Sequence, residues 1–299
     1  MSCALVIGVG GLGCPAALSL AERGVRELHL VDPDRVELSN LQRQILFRTP
    51  DVGRPKVEVA AQRLAAAFPQ TSVVPIEQRV GRDNIDQLIE NVDVVLDCTD
   101  DPESRFIVND AALAHGVPAV LGGVLRFDGL VLAVGGKTGP CFRCVFETPP
   151  TADEAATCGQ AGVLGPLCGV VGFLQAERAW AMLEGHVASQ TGFLTTVDGK
   201  RAHIRDIPLP EAAPCKACGG LAARLDISKY TCPMTYVRTR LALEALEPGE
   251  TLDIMMRHGE PARNVPRSLI EEGHEVLIDG QLDAQRHRVV VRRASPTAP

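Results

Sequence analysis

Apolar and polar positions alternate along this chain with two periods, and the switches between them mark out the elements. Ala4–Gly8 is a short apolar run that leads through a glycine loop into a helical stretch, Cys14–Arg23. Leu28–Val31 is the next strand, ending on Asp32, and Pro55–Phe68 carries Val57, Ala60, Ala61 and Leu64 at helical spacing, with a proline where helices prefer to start. Val73–Ile76 and Val92–Leu96 read as further strands, the second running into the acidic turn Asp97–Asp101. A helix ends at Ala111–His115 before Gly116, and Ala119–Leu121 is another buried strand. Strands alternating with helices at this spacing predict an α/β fold, a doubly wound, Rossmann-like, mostly parallel sheet.

Beyond Gly123 the rhythm changes. Leu130–Val134 reads as an added, antiparallel strand, Glu147–Gly165 as a crossing loop rich in Thr, Pro and Gly, and Gly169–Leu183 as a strongly apolar helix. Short strands then return the chain to Cys218, and Leu221–Arg224 reads as a linker. From Leu225 the pattern is strand, helix Pro233–Leu246, strand Thr251–Met256, helix Asn264–Glu272, and strands Glu275–Ile278 and Arg288–Val291, with Pro248-Gly249 breaking helix from strand. This predicts a large domain over residues 1–220, a small two-layer βαβαββ domain over 225–293, and a tail over 294–299.

Composition narrows the function classes. A net charge of −7 without a basic, aromatic-rich patch argues against nucleic acid as a partner. No apolar run reaches the length of a membrane span, and the start lacks the basic region of a signal peptide, so the expected location is the reducing cytoplasm. There, 10 cysteines point to metal binding or sulfur chemistry rather than to disulfides.

The loop Gly8-Val-Gly10-Gly11-Leu-Gly13 follows a strand and opens a helix, which lets the backbone approach phosphates with its N–H groups forward. Asp32 is placed to bind ribose hydroxyls. Alone, this pattern also fits a nicotinamide-dependent oxidoreductase. The next segment adds Asn40 and Arg43, then Lys56 at a helix start, and Arg43 and Lys56 would neutralise a triphosphate that hydride transfer does not require. Asp100, at the carboxyl end of a strand, suits Mg²⁺ held between protein and phosphates, or else a helix cap.

Cys141-Phe-Arg-Cys144 and Cys215-Lys-Ala-Cys218 have the spacing of a closed tetrathiolate, a structural Zn²⁺ site, in preference to a redox dithiol. Cys158 lies in a Gly- and Thr-rich loop, and Cys232-Pro233 opens a helix whose dipole would favour a thiolate. Cys3, Cys14, Cys98 and Cys168 read as packing residues.

G-V-G-G-L-G, D-P-D-R-V-E-L-S-N-L-Q-R-Q, D-V-G-R-P-K, D-C-T-D, P-C-F-R-C, G-V-L-G-P-L-C-G-V-V-G-F-L-Q-A and C-K-A-C occur in this order over about Cys3–Gly219. As a set they resemble the ThiF/MoeB/HesA family of ubiquitin-activating-like adenylyltransferases. The resemblance implies ATP-dependent adenylation of the C-terminal glycine of a ubiquitin-fold sulfur carrier of the ThiS or MoaD kind, and a homodimer. It implies Gly10 at the phosphates, Asp32 on ribose, Arg43 and Lys56 on phosphates, Asp100 on Mg²⁺, and Cys158 as a conjugating cysteine. Family members usually bring an N-terminal Arg to the partner subunit's nucleotide. No such Arg precedes the first strand here, so weakened adenylation, down to a nucleotide-binding scaffold, or a substitute cation is expected.

L-D-I-S-K-Y-T-C-P-M, L-E-P-G-E-T-L-D-I and N-V-P-R-S-L-I-E-E-G-H-E-V, over Leu225 to about Arg293, resemble the TusA (SirA-like) sulfur-relay family, with Cys232 as persulfide carrier. The usual C-P-x-P motif lacks its second proline here. A persulfide donor such as a cysteine desulfurase or a rhodanese is the implied partner.

Overall fold

The computed structural model describes residues 2–136, 140–146, 148–149, 162–209, 215, 217–218, 223–230 and 234–294. Strands β1 (Cys3–Ile7), β2 (Glu27–Val31), β3 (Ser72–Ile76), β4 (Val94–Asp97) and β5 (Ala119–Leu125) pair in parallel in the order β3-β2-β1-β4-β5. Three strands extend the sheet antiparallel, β6 (Asp128–Val134), β7 (Phe193–Asp198) and β8 (His203–Pro208), making eight strands in all. The chain leaves β1 toward β2 and β3, then returns to add β4 on its other side. That reversal opens a crevice at the carboxyl ends of β1 and β4.

Both faces of the sheet are covered, which is why β1 is apolar at every position rather than at alternate ones. Ala4 and Val6 join a core with helices α1 (Gly13–Glu22) and α2 (Lys56–Ala67). Leu5 and Ile7 face the opposite core, built on helices α3 (Ile85–Ile89), α4 (Pro102–His115) and α5 (Phe142–Val145). Helix α6 (Gly165–Leu183) lies on the first face through Leu167, Val171, Ala176 and Ala179. It starts four residues before the expected boundary, because Pro166 belongs to its first turn. A short helix, α7 (Val187–Gln190), leads from it to β7.

The expected βαβαββ order is present in a second sheet. It comprises β9 (Ala223–Asp226), α8 (Met234–Glu244), β10 (Thr251–Arg257), α9 (Glu260–Glu271), β11 (Glu275–Gln281) and β12 (Arg286–Arg292), with strand order β11-β12-β10-β9. Strand β9 begins at Ala223, inside the expected linker, because its backbone pairs in parallel with β10 from Leu252 onward. Helix α9 starts at Glu260 rather than Asn264: Pro261 takes the first turn, and Pro266 lies within the helix.

One face of this sheet packs Leu252, Ile254, Met256, Val289 and Val291 against Leu243, Val265 and Leu269 of the helices. On the alternate positions Asp253 and Val290 are fully buried and Arg288 is 3% exposed. Arg288 Nε donates to Asp253 Oδ1 at 2.9 Å, while its Nη1 reaches Ala188 O of α7 at 3.1 Å and Thr191 Oγ1 at 3.0 Å. A charged pair therefore ties the small sheet to α7 and the residue that follows it.

Candidate nucleotide cleft and thiol cluster

The glycine loop is shaped by two close approaches. Gly8 has φ +90°, and a Cβ there would come within 2.9 Å of the Cys98 carbonyl group at the end of β4. A Cβ at Gly13 would lie 1.9 Å from Gly8 O, so no other residue lets the loop close onto α1. Gly10 is different: nothing but Gln44 Nε2, at 3.7 Å, approaches it from the side-chain direction. Gly8, Gly10 and Gly11 line the cleft, and the N-terminus of α1 carries no capping side chain. Its N–H groups and positive dipole end are thus available to an anion.

Asp32 is buried at the end of β2 and fixed by the backbone. Its Oδ2 accepts from Val9 N–H at 2.7 Å and its Oδ1 from Asp34 N–H at 2.8 Å. Burial raises its pKa, with Lys56 opposing the rise. Lys56 is itself buried, its Nζ 2.8 Å from Asp34 Oδ2 and 3.8 Å from Asp32 Oδ1. It is a cation held between two carboxylates rather than a solvated charge at a helix start. Arg43 makes a single long contact, 3.5 Å to Ser39 O, and lines the same cleft. Asn40 Oδ1 accepts from Gln44 Nε2 at 3.2 Å, and the buried Gln44 Oε1 has no partner among the described residues.

Across the crevice, the acidic turn divides its labour. Asp101, not Asp100, caps α4, accepting from Glu103 N, Ser104 N and Ser104 Oγ at 3.3, 3.0 and 2.6 Å. The Asp100 carboxylate makes no hydrogen bond among the described residues and faces the cleft. Asp97 is 0% exposed, and its Oδ1 accepts from Thr99 N at 3.1 Å and Thr99 Oγ1 at 2.7 Å. Burial pushes its pKa up to about 6, against the pull of Arg105. Gln175 of α6 is wholly buried and bonds Asp97 O at 2.7 Å and Val120 O at 3.1 Å, locking that helix to β4 and β5. Sequence periodicity gave no signal for Arg105 or Gln175, because their partners lie on other elements.

A second cavity lies over the face of β5 to β8 and is lined by Gly123, Leu130, Leu194, Thr196 and Arg205 among others. It adjoins the nucleotide cleft.

The four paired cysteines converge. Cys141 Sγ lies 3.9 Å from both Cys144 Sγ and Cys215 Sγ, and Cys144 Sγ is 3.5 Å from Cys218 Sγ. All four sulfurs fall within 4.8 Å of one another. A tetrahedron with metal–sulfur bonds of about 2.3 Å has edges of about 3.8 Å, so the donor set fits a tetrathiolate ion. Thiol–thiol hydrogen bonds to Cys144 and Cys218, together with burial, push the Cys141 thiol far up, and a divalent cation is what would let such crowded sulfurs ionise together. Cys14, Cys98 and Cys168 are buried packing residues, as expected, whereas Cys3 is only half-buried, beside His29. Cys158 and Cys232 lie outside the described residues. No helix among the described residues is long and apolar enough to cross a membrane.

Comparison with known proteins identifies both segments of the chain. The ThiF family model matches residues 1–219, and the sulfurtransferase TusA model matches 223–293. Among curated relatives, the sulfur carrier protein ThiS adenylyltransferase of Escherichia coli is 42% identical over 72% of this chain and 85% of its own length. The adenylyltransferase and sulfurtransferase MOCS3 of Aedes aegypti is 34% identical over 90% of this chain, which spans 62% of that relative. The solved structure of E. coli MccB with ATP shares the fold at TM-score 0.64 and 19% identity, covering 73% of this chain and 67% of that one. The chain belongs to the ThiF family and carries, after its ThiF segment, a sulfurtransferase TusA segment.

Proposed function

We propose that this chain uses ATP to adenylate the C-terminal glycine of a ubiquitin-fold sulfur carrier and then exchanges the adenylate for sulfur. The observation that carries this reading is the cleft itself. Asp32, assigned to the ribose, and the cations Arg43 and Lys56, assigned to the phosphates, line one cleft with an open helix N-terminus, together with the Asp100 carboxylate, which has no hydrogen bond among the described residues. Asn40 and Gln44 present amide groups to the same space. The enzyme's part in such a reaction is alignment and charge compensation. A carboxylate oxygen bonds to the α-phosphorus, and the bond to pyrophosphate breaks with its electron pair. Mg²⁺, when bound by Asp100 and the phosphates, would offset the charge on the leaving group.

The second half rests on Cys232. The terminal sulfur of its persulfide attacks the acyl carbon, and AMP leaves with the bonding pair. The resulting acyl disulfide is opened by a second thiol attacking Cys232 Sγ, giving the carrier thiocarboxylate and a new disulfide. Cys158 is assigned as that thiol, or as an earlier relay. A cytoplasmic dithiol would reduce that disulfide, itself becoming oxidised, a cysteine desulfurase or rhodanese would then recharge the freed Cys232 thiol with sulfane sulfur, and two chains would associate. Zn²⁺ on Cys141, Cys144, Cys215 and Cys218 would pin the segment after β8 to α5 as a closed structural site.

Incubating the chain with candidate carriers, ATP, Mg²⁺ and a persulfide source tests the reading by mass spectrometry. The expected result is a carrier thiocarboxylate with AMP and pyrophosphate released, and its loss in Cys232→Ser. Nucleotide binding without AMP release would leave only a scaffold. Metal analysis of fresh protein should return about one equivalent of zinc, and under about half would overturn the tetrathiolate.

A further inference from the structure

The nucleotide cleft and the cavity over β5 to β8, the latter of about 720 Å³, share three lining residues: Asp100, Arg105 and Val124. Among the described residues, Arg105 is the one cation in that overlap. Lys56, Arg43, Arg35 and Arg79 border the nucleotide side alone, and Arg201 and Arg205 the sheet side alone. The Arg105 side chain is 16% exposed, and its guanidinium is held from three directions. Nη2 donates to Thr99 O at 3.0 Å, and Nε stands 3.6 Å from the buried Asp97 Oδ2. The group also lies against Gly123, where a Cβ would come within 3.1 to 3.2 Å of Nη1, Nη2 and Cζ. Any residue larger than glycine at 123 would move it. The remaining nitrogen, Nη1, makes no hydrogen bond among the described residues, and it is not among the buried unpartnered atoms, so solvent reaches it.

We propose that Arg105 Nη1 receives the terminal carboxylate of the carrier tail and aims it at the α-phosphate, a specificity role that rests on the adenylation reading above. Two anions have to meet where the cavities join, and a cation there offsets their repulsion while Asp100 faces the metal. The step needs no proton: a carboxylate oxygen replaces pyrophosphate at phosphorus. Asp97 and Gly123 act through Arg105, fixing its plane.

The test compares a ubiquitin-fold carrier ending in glycine, prepared with a free carboxylate and with a terminal carboxamide. Calorimetric binding to the wild-type chain should favour the carboxylate by roughly tenfold or more, the weight of one hydrogen bond to a charged group. Arg105→Gln should erase that preference and leave ATP affinity within about twofold, while Arg105→Lys should keep part of the preference. An undiminished preference in Arg105→Gln, or equal loss of ATP and carrier binding in a folded variant, would overturn the assignment. If Arg105→Gln does not fold, the Arg105→Gln/Asp97→Asn pair removes the uncompensated buried charge and gives the same readout. Pyrophosphate exchange separates the two claims: no exchange by the wild type with an intact carboxylate preference defeats adenylation and leaves Arg105 as an anion receiver.

Discussion

Lys56 and Arg288 are both buried basic residues set against carboxylates, with opposite results. At the nucleotide cleft, Lys56 lies between Asp32 and Asp34, and the surrounding groups stay open among the described residues: Asp100 without a hydrogen bond, Arg43 with one long contact, Gln44 Oε1 unpartnered. At the joint beside the small sheet, Arg288 meets Asp253 from its own sheet and, from outside it, Ala188 of α7 and Thr191 just after that helix, and both charged groups are out of water. The difference lies in what surrounds the pair. A buried charge at the lip of a cleft leaves hydrogen-bonding capacity facing a ligand. A buried charge between two packed surfaces directs most of its capacity to holding them together.

The largest effect is expected at the joint. Arg288→Ala takes a buried guanidinium away from Asp253, Ala188 and Thr191 at once, a loss of about 3–5 kcal/mol in urea or thermal unfolding. The double variant Arg288→Met/Asp253→Asn should recover most of that loss. If Arg288→Ala unfolds no more easily than wild type, the joint is solvated and the contrast fails. Lys56→Met should act on function instead: pyrophosphate exchange falls by about 100-fold or more, with a much smaller change in unfolding than at Arg288. Equal stability losses at both positions would show that Lys56 is structural as well.

The smallest effect concerns pH. Burial raises the Asp97 pKa from 3.8 to about 6, so between these values the folded chain keeps a proton that the unfolded chain releases. Stability from this group is full below 3.8 and is lost as pH rises through about 6. Asp97→Asn should therefore flatten the melting temperature between pH 4 and pH 7 relative to wild type, as read by calorimetry at about one-unit intervals. An unchanged slope would mean that Arg105 compensates Asp97 fully.

Much of the cleft was legible in the sequence because its parts are local. Gly8 to Gly13, Asp32 and Lys56 each follow a strand or begin a helix, and strand-to-helix junctions announce themselves through glycine, proline and the change of period. The cysteine pairs were legible for the same reason, since C-x-x-C places two sulfurs on one turn. Helix α8 shows the limit: it buries Thr235 and Thr239 and exposes Met234, Val237 and Leu241, so its apolar positions do not mark its inner face. Thr239 can be buried because its hydroxyl donates to Thr235 O at 2.9 Å.

The sequence by itself determined the order of elements, the doubly wound sheet with its later appended one, and the residue types offered to a nucleotide and a metal. Periodicity and spacing are properties of near neighbours, and near neighbours are what a chain specifies directly. The tertiary structure alone decided that Asp101 rather than Asp100 caps α4, that Arg105 stands where two cavities join, and that Arg288 reaches from the small sheet to α7. The cap is a matter of local backbone geometry, but the other two depend on groups far apart in the chain sharing a space without water, where an unpaired charge or amide has to find its partner wherever the fold supplies one.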